Sequence, residues 1–215
     1  MKAEELHDSL REVRDNLDKN HAVRLHRAIS WLRCAESYTE TDDDIALISA
    51  WIAFNACYGV DGHWQDSDER EIFSEFARKL CELDVDAQIY NLLWSKFSQF
   101  VRLLIDNQYV YGPFWLSVRD GNENWKAKFQ TSKDRALSGL ARKEPAIILG
   151  IVLDRLYVLR NQLLHGGATY GSYINRGQVK DGKRLLMELL PLIISLMMNH
   201  KEVDWGLINF PVIED

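Results

Sequence analysis

Apolar residues recur at intervals of three and four through nearly every long segment of the chain, a pattern that commits it to helices more firmly than any other feature. An α-helix turns once per 3.6 residues, so this spacing gathers greasy side chains on one face, whereas a strand needs a period of two. "EELHDSLREVRDNLD" reads as a charged amphipathic helix. In "HAVRLHRAISWLRCAESY" the residues Leu25, Ile29, Leu32 and Ala35 form one stripe. "TDDDIALISAWIAFNACYG" opens with Thr41 as a cap and three aspartates in the favourable first turn, and stops at Gly59. Its middle is apolar all round, which places it centrally. "DSDEREIFSEFARKLCEL", "DAQIYNLLWSKFSQFVRLLIDNQ" and the more polar "WKAKFQTSKDRALSGLARK", the last one helix or a pair, extend the set. A helix over 145–165, a Gly-rich link "GGATYGSYINRG" and a final helix over 178–199 follow, and the tail "EVDWGLINFPVIED" is expected to dock as an extended strip. "GVDGHWQDS" reads as a loop, and the aromatic "YVYGPFWLSVRDGNENW" as an irregular connection. The expectation is an all-α, multi-helix bundle with an aromatic loop, in a single domain over 1–215.

Composition narrows the partners. With 47% hydrophobic and 27% charged residues the chain is an ordinary globular protein, and its net charge of −6 excludes a general polyanion binder. Any nucleic-acid contact has to come from a local basic surface. Cys34, Cys57 and Cys81 are odd in number, contain no CxxC pair and sit inside apolar helical patterns, so they read as small buried hydrophobes in a reducing compartment. "MKAEELHDSLREVRD" lacks the apolar core of a secretory signal, and "LLMELLPLIISLMM" falls short of the roughly 20 apolar residues of a membrane span. A cytoplasmic protein without membrane contact is expected.

The helix over 145–165, "PAIILGIVLDRLYVLRNQLLHGG", carries the chemistry. Leu149, Val152, Leu156, Leu159 and Leu163 make its core face. A second line, Asp154, Asn161 and His165, falls within about 40° of arc on an ideal wheel. Ile147, Ile151, Tyr157 and Val158 flank that line, so it is framed by apolar residues and suits contact with another subunit. Arg160 points roughly 140° away from His165 on the same wheel, yet its long side chain reaches back from a helix end. Gly166 and Gly167 stop the helix, and an imidazole in the last turn suits general acid–base work. Arg176, Lys180, Lys183 and Arg184 follow at helical spacing, and a guanidinium beside such a patch pairs with phosphate through two hydrogen bonds. Against this stands a plainer reading, in which Arg160 pairs with a carboxylate such as Asp154 or Glu36 and His165 merely caps a helix end.

At these residues the sequence resembles the HEPN family, whose signature is an arginine and a histidine with four to six residues between them on a helix. Arg160-Asn161-x-x-x-His165 matches, with Asn161 in the polar slot. "AWIAFNACYG" (50–59) resembles the upstream helix of the Apea-like branch, and the likeness spans roughly residues 20–200. The resemblance implies a helical bundle that forms a homodimer and brings two Arg/His motifs into one composite cleft. It further implies a metal-independent endoribonuclease of a toxin–antitoxin or anti-phage system, without cofactor, with RNA as substrate and an antitoxin or defence protein as partner. Other members are silent binding modules. In such an enzyme the 2′-OH of RNA is the nucleophile, His165 supplies acid and base, and Arg160 and Asn161 hold the phosphate. Asp154, Asn55 and Glu36 are candidate cleft supports, and the Arg176/Lys180/Lys183/Arg184 set a candidate RNA contact.

Three further features carry less. His21 and His26 lack an acidic or thiol partner at ligand spacing, so no metal is expected. His63 is explained by a solvated loop. The basic residues of 125–143, Lys126 and Lys133 among them, read as a charged outer face or, interleaved with Trp125 and Phe129, as a track for an RNA backbone, and "YVYGPFW" reads as a packed connection sooner than as a base-stacking platform.

Overall fold

A computed structural model describes residues 1–60, 66–173 and 175–213; the "GVDGHWQDS" loop with His63 lies largely outside them. Among the described residues there are ten α-helices and no strand, so the chain is all-α. They fall into two compact units, one of residues 1–76 and 182–215 and one of residues 77–181.

The first unit contains α1 (Ala3–Val13), α2 (Lys19–Tyr38), α3 (Asp43–Tyr58), the start of α4 (Asp66–Leu83) and most of α10 (Arg176–Asn199). α2 and α3 pack along each other as a hairpin, and α1 lies on α2. Asp18 opens α2 by accepting the Asn20 and His21 amides at 2.8 and 3.4 Å. Asp42, one residue later than the expected Thr41, opens α3 by accepting the Ile45 amide at 3.0 Å. α3 is central as its all-round apolarity requires, with Leu47, Ala50, Trp51, Phe54 and Cys57 fully buried. The apolar stripe of α10, from Leu185 to Met197, is likewise withdrawn from water.

Two polar staples close this unit. Arg24, buried in the second turn of α2, donates to the carbonyls of Cys57 and Gly59 at 2.8 Å and of Gly206 at 2.9 Å. Arg27 donates to the Asn209 and Phe210 carbonyls. These bonds hold the tail, whose Trp205 stacks on His21 and is buried with Ile208, so the expected docked strip is present.

The second unit contains the end of α4, α5 (Gln88–Asn91), a π turn (Leu92–Lys96), α6 (Ser98–Asp106), a 3₁₀ turn (Gln108–Val110), α7 (Gly112–Asp120), α8 (Trp125–Arg142), α9 (Pro145–Leu164) and the start of α10. Two expectations change here. "DAQIYNLLWSKFSQFVRLLIDNQ" is not one helix. Its buried residues include a line spaced by four, Ile89, Leu93, Phe97, Val101 and Ile105, beside Leu92, Phe100 and Leu104. Each step of four overshoots an α turn by about 40°, and the wider π turn takes up that drift. The aromatic connection is also more ordered than a loop: Pro113 sits in the first turn of α7, Gly121 at φ +66° stops it, and Phe114, Trp115, Trp125 and Phe129 interlock through edge and tilted ring contacts. "WKAKFQTSKDRALSGLARK" forms the single helix α8, packed on α9. Gly139 makes that approach close, since a Cβ there would meet Ile147 and Ile148 at 3.1 and 3.2 Å. On the outer side of α8, Lys126 pairs with Glu123 and Lys133 with Asp106, as a charged outer face requires.

Candidate functional site

α9 is built as its pattern demands. Leu149, Val152, Leu156 and Leu159 are buried, each contributing about 1.5–3 kcal/mol of transfer free energy, and Leu163 is half-buried at the end. Pro145 begins the helix and needs no amide partner there. The helix ends at Leu164; His165 occupies the capping position with φ −92° and ψ 13°, and its amide donates to the Asn161 and Leu163 carbonyls. Gly166 follows at φ +68°, its amide on Leu163, and the Ala168 amide closes onto Gln162.

This stop exposes the His165 side chain, while Arg160 and Asn161 in the last turn are half-buried. Arg160 Nη1 donates to Asn161 Oδ1 at 2.7 Å, and the guanidinium lies 5.6 Å from the centre of the Tyr157 ring. The asparagine thus orients the arginine. Gln162 anchors the same turn: it donates to the Tyr109 carbonyl at 2.6 Å and accepts from Asn175 Nδ2 at 3.0 Å. The Tyr109 carbonyl also accepts from Trp115 Nε1 at 2.8 Å, so the aromatic segment braces the end of α9.

The other candidates have partners of their own. Asp154 Oδ2 accepts from Arg155 at 2.9 Å. Glu36 accepts the Ala3 amide at 2.9 Å, a carboxylate at the positive end of α1. Asn55 accepts from the Tyr58 hydroxyl at 2.9 Å. Neither Glu36 nor Asn55 belongs to the unit that holds α9. Of the basic set, Lys180 and Arg184 are exposed and Arg176 is half-buried with its Nε on the Ser172 carbonyl. Lys183 departs from the expected RNA contact: it is buried against the Thr39 carbonyl and Asp43, 2.6 Å away. Its four-carbon stem follows the apolar side of α10, which the spacing of basic residues alone did not reveal.

Sequence reasoning missed two buried arginines. Arg155, 1% exposed, bonds Asp154 and Ser132 Oγ, both at 2.9 Å, and stacks 4.5 Å from the centre of the Tyr111 ring. Its position was the available signal, three after Val152 and four before Leu159 on the core face. Arg24 carries the same signal, four before Ala28.

Two of the thiols are poor nucleophiles. Burial pushes Cys57 and Cys81 up to about 12, with Asp84 and Glu82 adding to the shift at Cys81. No disulfide joins the three cysteines, and among the described residues no group of three His, Cys, Asp or Glu gathers as a metal-ligand set. Among the described residues no helix is long and apolar enough to cross a membrane. At this helix end a half-buried guanidinium is bonded to the Asn161 amide, and the His165 imidazole that follows is exposed. Comparison of the chain with models of protein families, with curated proteins and with solved structures finds no match.

Proposed function

We propose that the chain is a HEPN-type protein that cleaves RNA without a metal, at a cleft made by two copies of the end of α9. The observation that carries this reading is the exposed His165 one turn beyond an Arg160 already oriented by Asn161. Exposed Leu164, Tyr170 and Tyr173 next to the motif supply apolar surface for a second copy to cover.

In the proposed reaction one His165 takes the proton of the ribose 2′-OH as its oxygen attacks phosphorus. The bond from phosphorus to the 5′-oxygen breaks, and the His165 of the second copy protonates the leaving oxygen. A 2′,3′-cyclic phosphate and a 5′-hydroxyl result. Positioned proton transfer contributes about 10²–10⁴-fold. Arg160 neutralises the phosphorane, an effect of about 2.7–4 kcal/mol by analogy with oxyanion sites. The setting would be a toxin–antitoxin or phage-defence system in the cytoplasm, with an antitoxin or defence protein masking the cleft.

The test is incubation of the purified protein with total RNA in excess EDTA, beside Arg160→Ala and His165→Ala, with end-group analysis of the products. Cleavage by the wild type alone, leaving cyclic phosphate ends, supports the reading; loss of cleavage in EDTA refutes the metal-free mechanism. A second reading, a silent module that binds RNA, nucleotide or protein, is favoured by the removal of Lys183 from the basic set. It predicts equal inertness of all three proteins.

A further inference from the structure

Residues 7, 10, 11 and 14 are spaced by three, one and three, which puts them on one side of α1 and its 3₁₀ extension (Arg14–Asn16). Residues 22, 23, 26 and 27 do the same on α2, the helix on which α1 packs. Between the two faces lies a cleft of about 250 Å³. His7, Arg11, Arg14, His26 and Arg27 line it, over an apolar floor that includes Leu10 and Val23. Among the described residues no carboxylate lines this cleft, although the chain as a whole carries net charge −6. Arg11 and Arg14 are exposed and their guanidinium groups form no hydrogen bond or ion pair among the described residues, so their fork-shaped donors stand open. Arg27 is held in place by the Asn209 and Phe210 carbonyls, and the His7 and His26 rings lie 6.4 Å apart. His7 Nδ1 is 3.8 Å from Asp8, which stays outside the cleft wall.

Three guanidinium groups brought together with no carboxylate in the lining repel one another, and the arrangement is relieved by a multiply charged anion. We propose that this cleft is a binding site for a small soluble anion with two or more linked phosphates, of the pyrophosphate or nucleoside diphosphate class. Its volume suits a compact ligand. It holds no phenylalanine, tyrosine or tryptophan platform of the kind that lets single-stranded RNA stack base after base. The site is independent of the proposed chemistry at Arg160 and His165.

The experiment is calorimetric titration of the full chain with inorganic pyrophosphate, with orthophosphate and with an eight-nucleotide single-stranded RNA. Expected is one-to-one binding of pyrophosphate, at least tenfold tighter than orthophosphate. Arg11→Gln and Arg14→Gln should each weaken it by roughly tenfold, the scale of one charge-assisted contact. Arg33→Gln, an exposed arginine on α2 outside the cleft, should change nothing beyond a general salt effect. Thermal melts of the variants should match the wild type, which separates lost binding from lost folding. Absence of pyrophosphate binding at millimolar concentration, or binding unaltered in the Arg11→Gln/Arg14→Gln double variant, overturns the proposal. So does tighter binding of the RNA with the same loss in that variant, which would make the cleft a polynucleotide contact.

Discussion

Arg155 Nη1 lies 2.9 Å from Asp154 Oδ2, and the two adjacent side chains form an ion pair whose arginine is almost wholly buried inside the second unit. The pair settles where Asp154 spends its charge: on a structural neighbour one residue away. Removing the arginine leaves a carboxylate, a serine hydroxyl and two aromatic faces without their partner. Arg155→Met should therefore cost about 2–3 kcal/mol, below the roughly 3–5 kcal/mol of a fully buried pair because Asp154 keeps some water. Adding Asp154→Asn should recover part of the loss in urea unfolding. An unchanged midpoint for the single variant would show the pair to be inconsequential.

Asn161 Oδ1 receives Arg160 Nη1 at 2.7 Å, so Asn161→Ala releases the guanidinium from its orientation. If the proposed ribonuclease is right, the rate of RNA cleavage should fall by about tenfold or more, the scale of one hydrogen bond to a charged group. Arg160→Lys, which keeps charge but loses the planar fork, should fall further. Rates for both at saturating RNA check this.

Gly166 takes φ +68°, and a Cβ there would touch no atom within 4 Å. The penalty of Gly166→Ala is therefore conformational alone, about 1 kcal/mol. In a chain of this size that lowers the melting temperature by roughly 2–4 °C. Because the same residue aims the stop that exposes His165, cleavage should drop more than stability does.

His21 is buried, its Nε2 2.9 Å from the Met197 carbonyl and its ring stacked on Trp205. A carbonyl only accepts, so Nε2 carries the proton. Burial, opposed by the Met197 bond and reinforced by Arg24, holds the imidazole below its ordinary value. The unfolded chain then binds more protons than the native one as pH drops through about 6.5. The stabilisation is full above that pH and is lost on acidification toward the native-state value. Urea midpoints between pH 7.5 and 5 should decline, and His21→Gln should flatten the decline; identical slopes would refute the assignment.

With their thiols pushed up to about 12, Cys57 and Cys81 carry on the order of 10³-fold less thiolate than an ordinary cysteine. Iodoacetamide at pH 7.5 should leave both unmodified in the native protein and label them fully in urea, read by peptide mass spectrometry. Rapid native labelling of Cys57 would contradict its burial in α3.

Much of the architecture was legible because amphipathic spacing is a local property. The stripes on α2, α9 and α10, the centrality of α3 and the glycine stop after His165 follow from periodicity and turn chemistry. The π turn and α7 were not legible. A stripe of constant spacing four reads as one helix until the burial of Ile89, Leu93, Phe97, Val101 and Ile105 together forces the phase to be corrected. Pro113 and Gly112 look like loop residues until aromatic packing makes a helical turn worthwhile.

By itself the sequence determined an all-helical chain and the placing of Arg160, Asn161 and His165 at one helix end, since both depend on residues a few positions apart. Only the tertiary structure decided that Lys183 is buried on Asp43, that Glu36 caps α1, that Arg155 claims Asp154, and that two basic helix faces meet across a cleft. Each of those outcomes turns on which distant backbone or charge arrives beside a side chain. Helical periodicity orients a residue about its own axis and says nothing of what is packed against it.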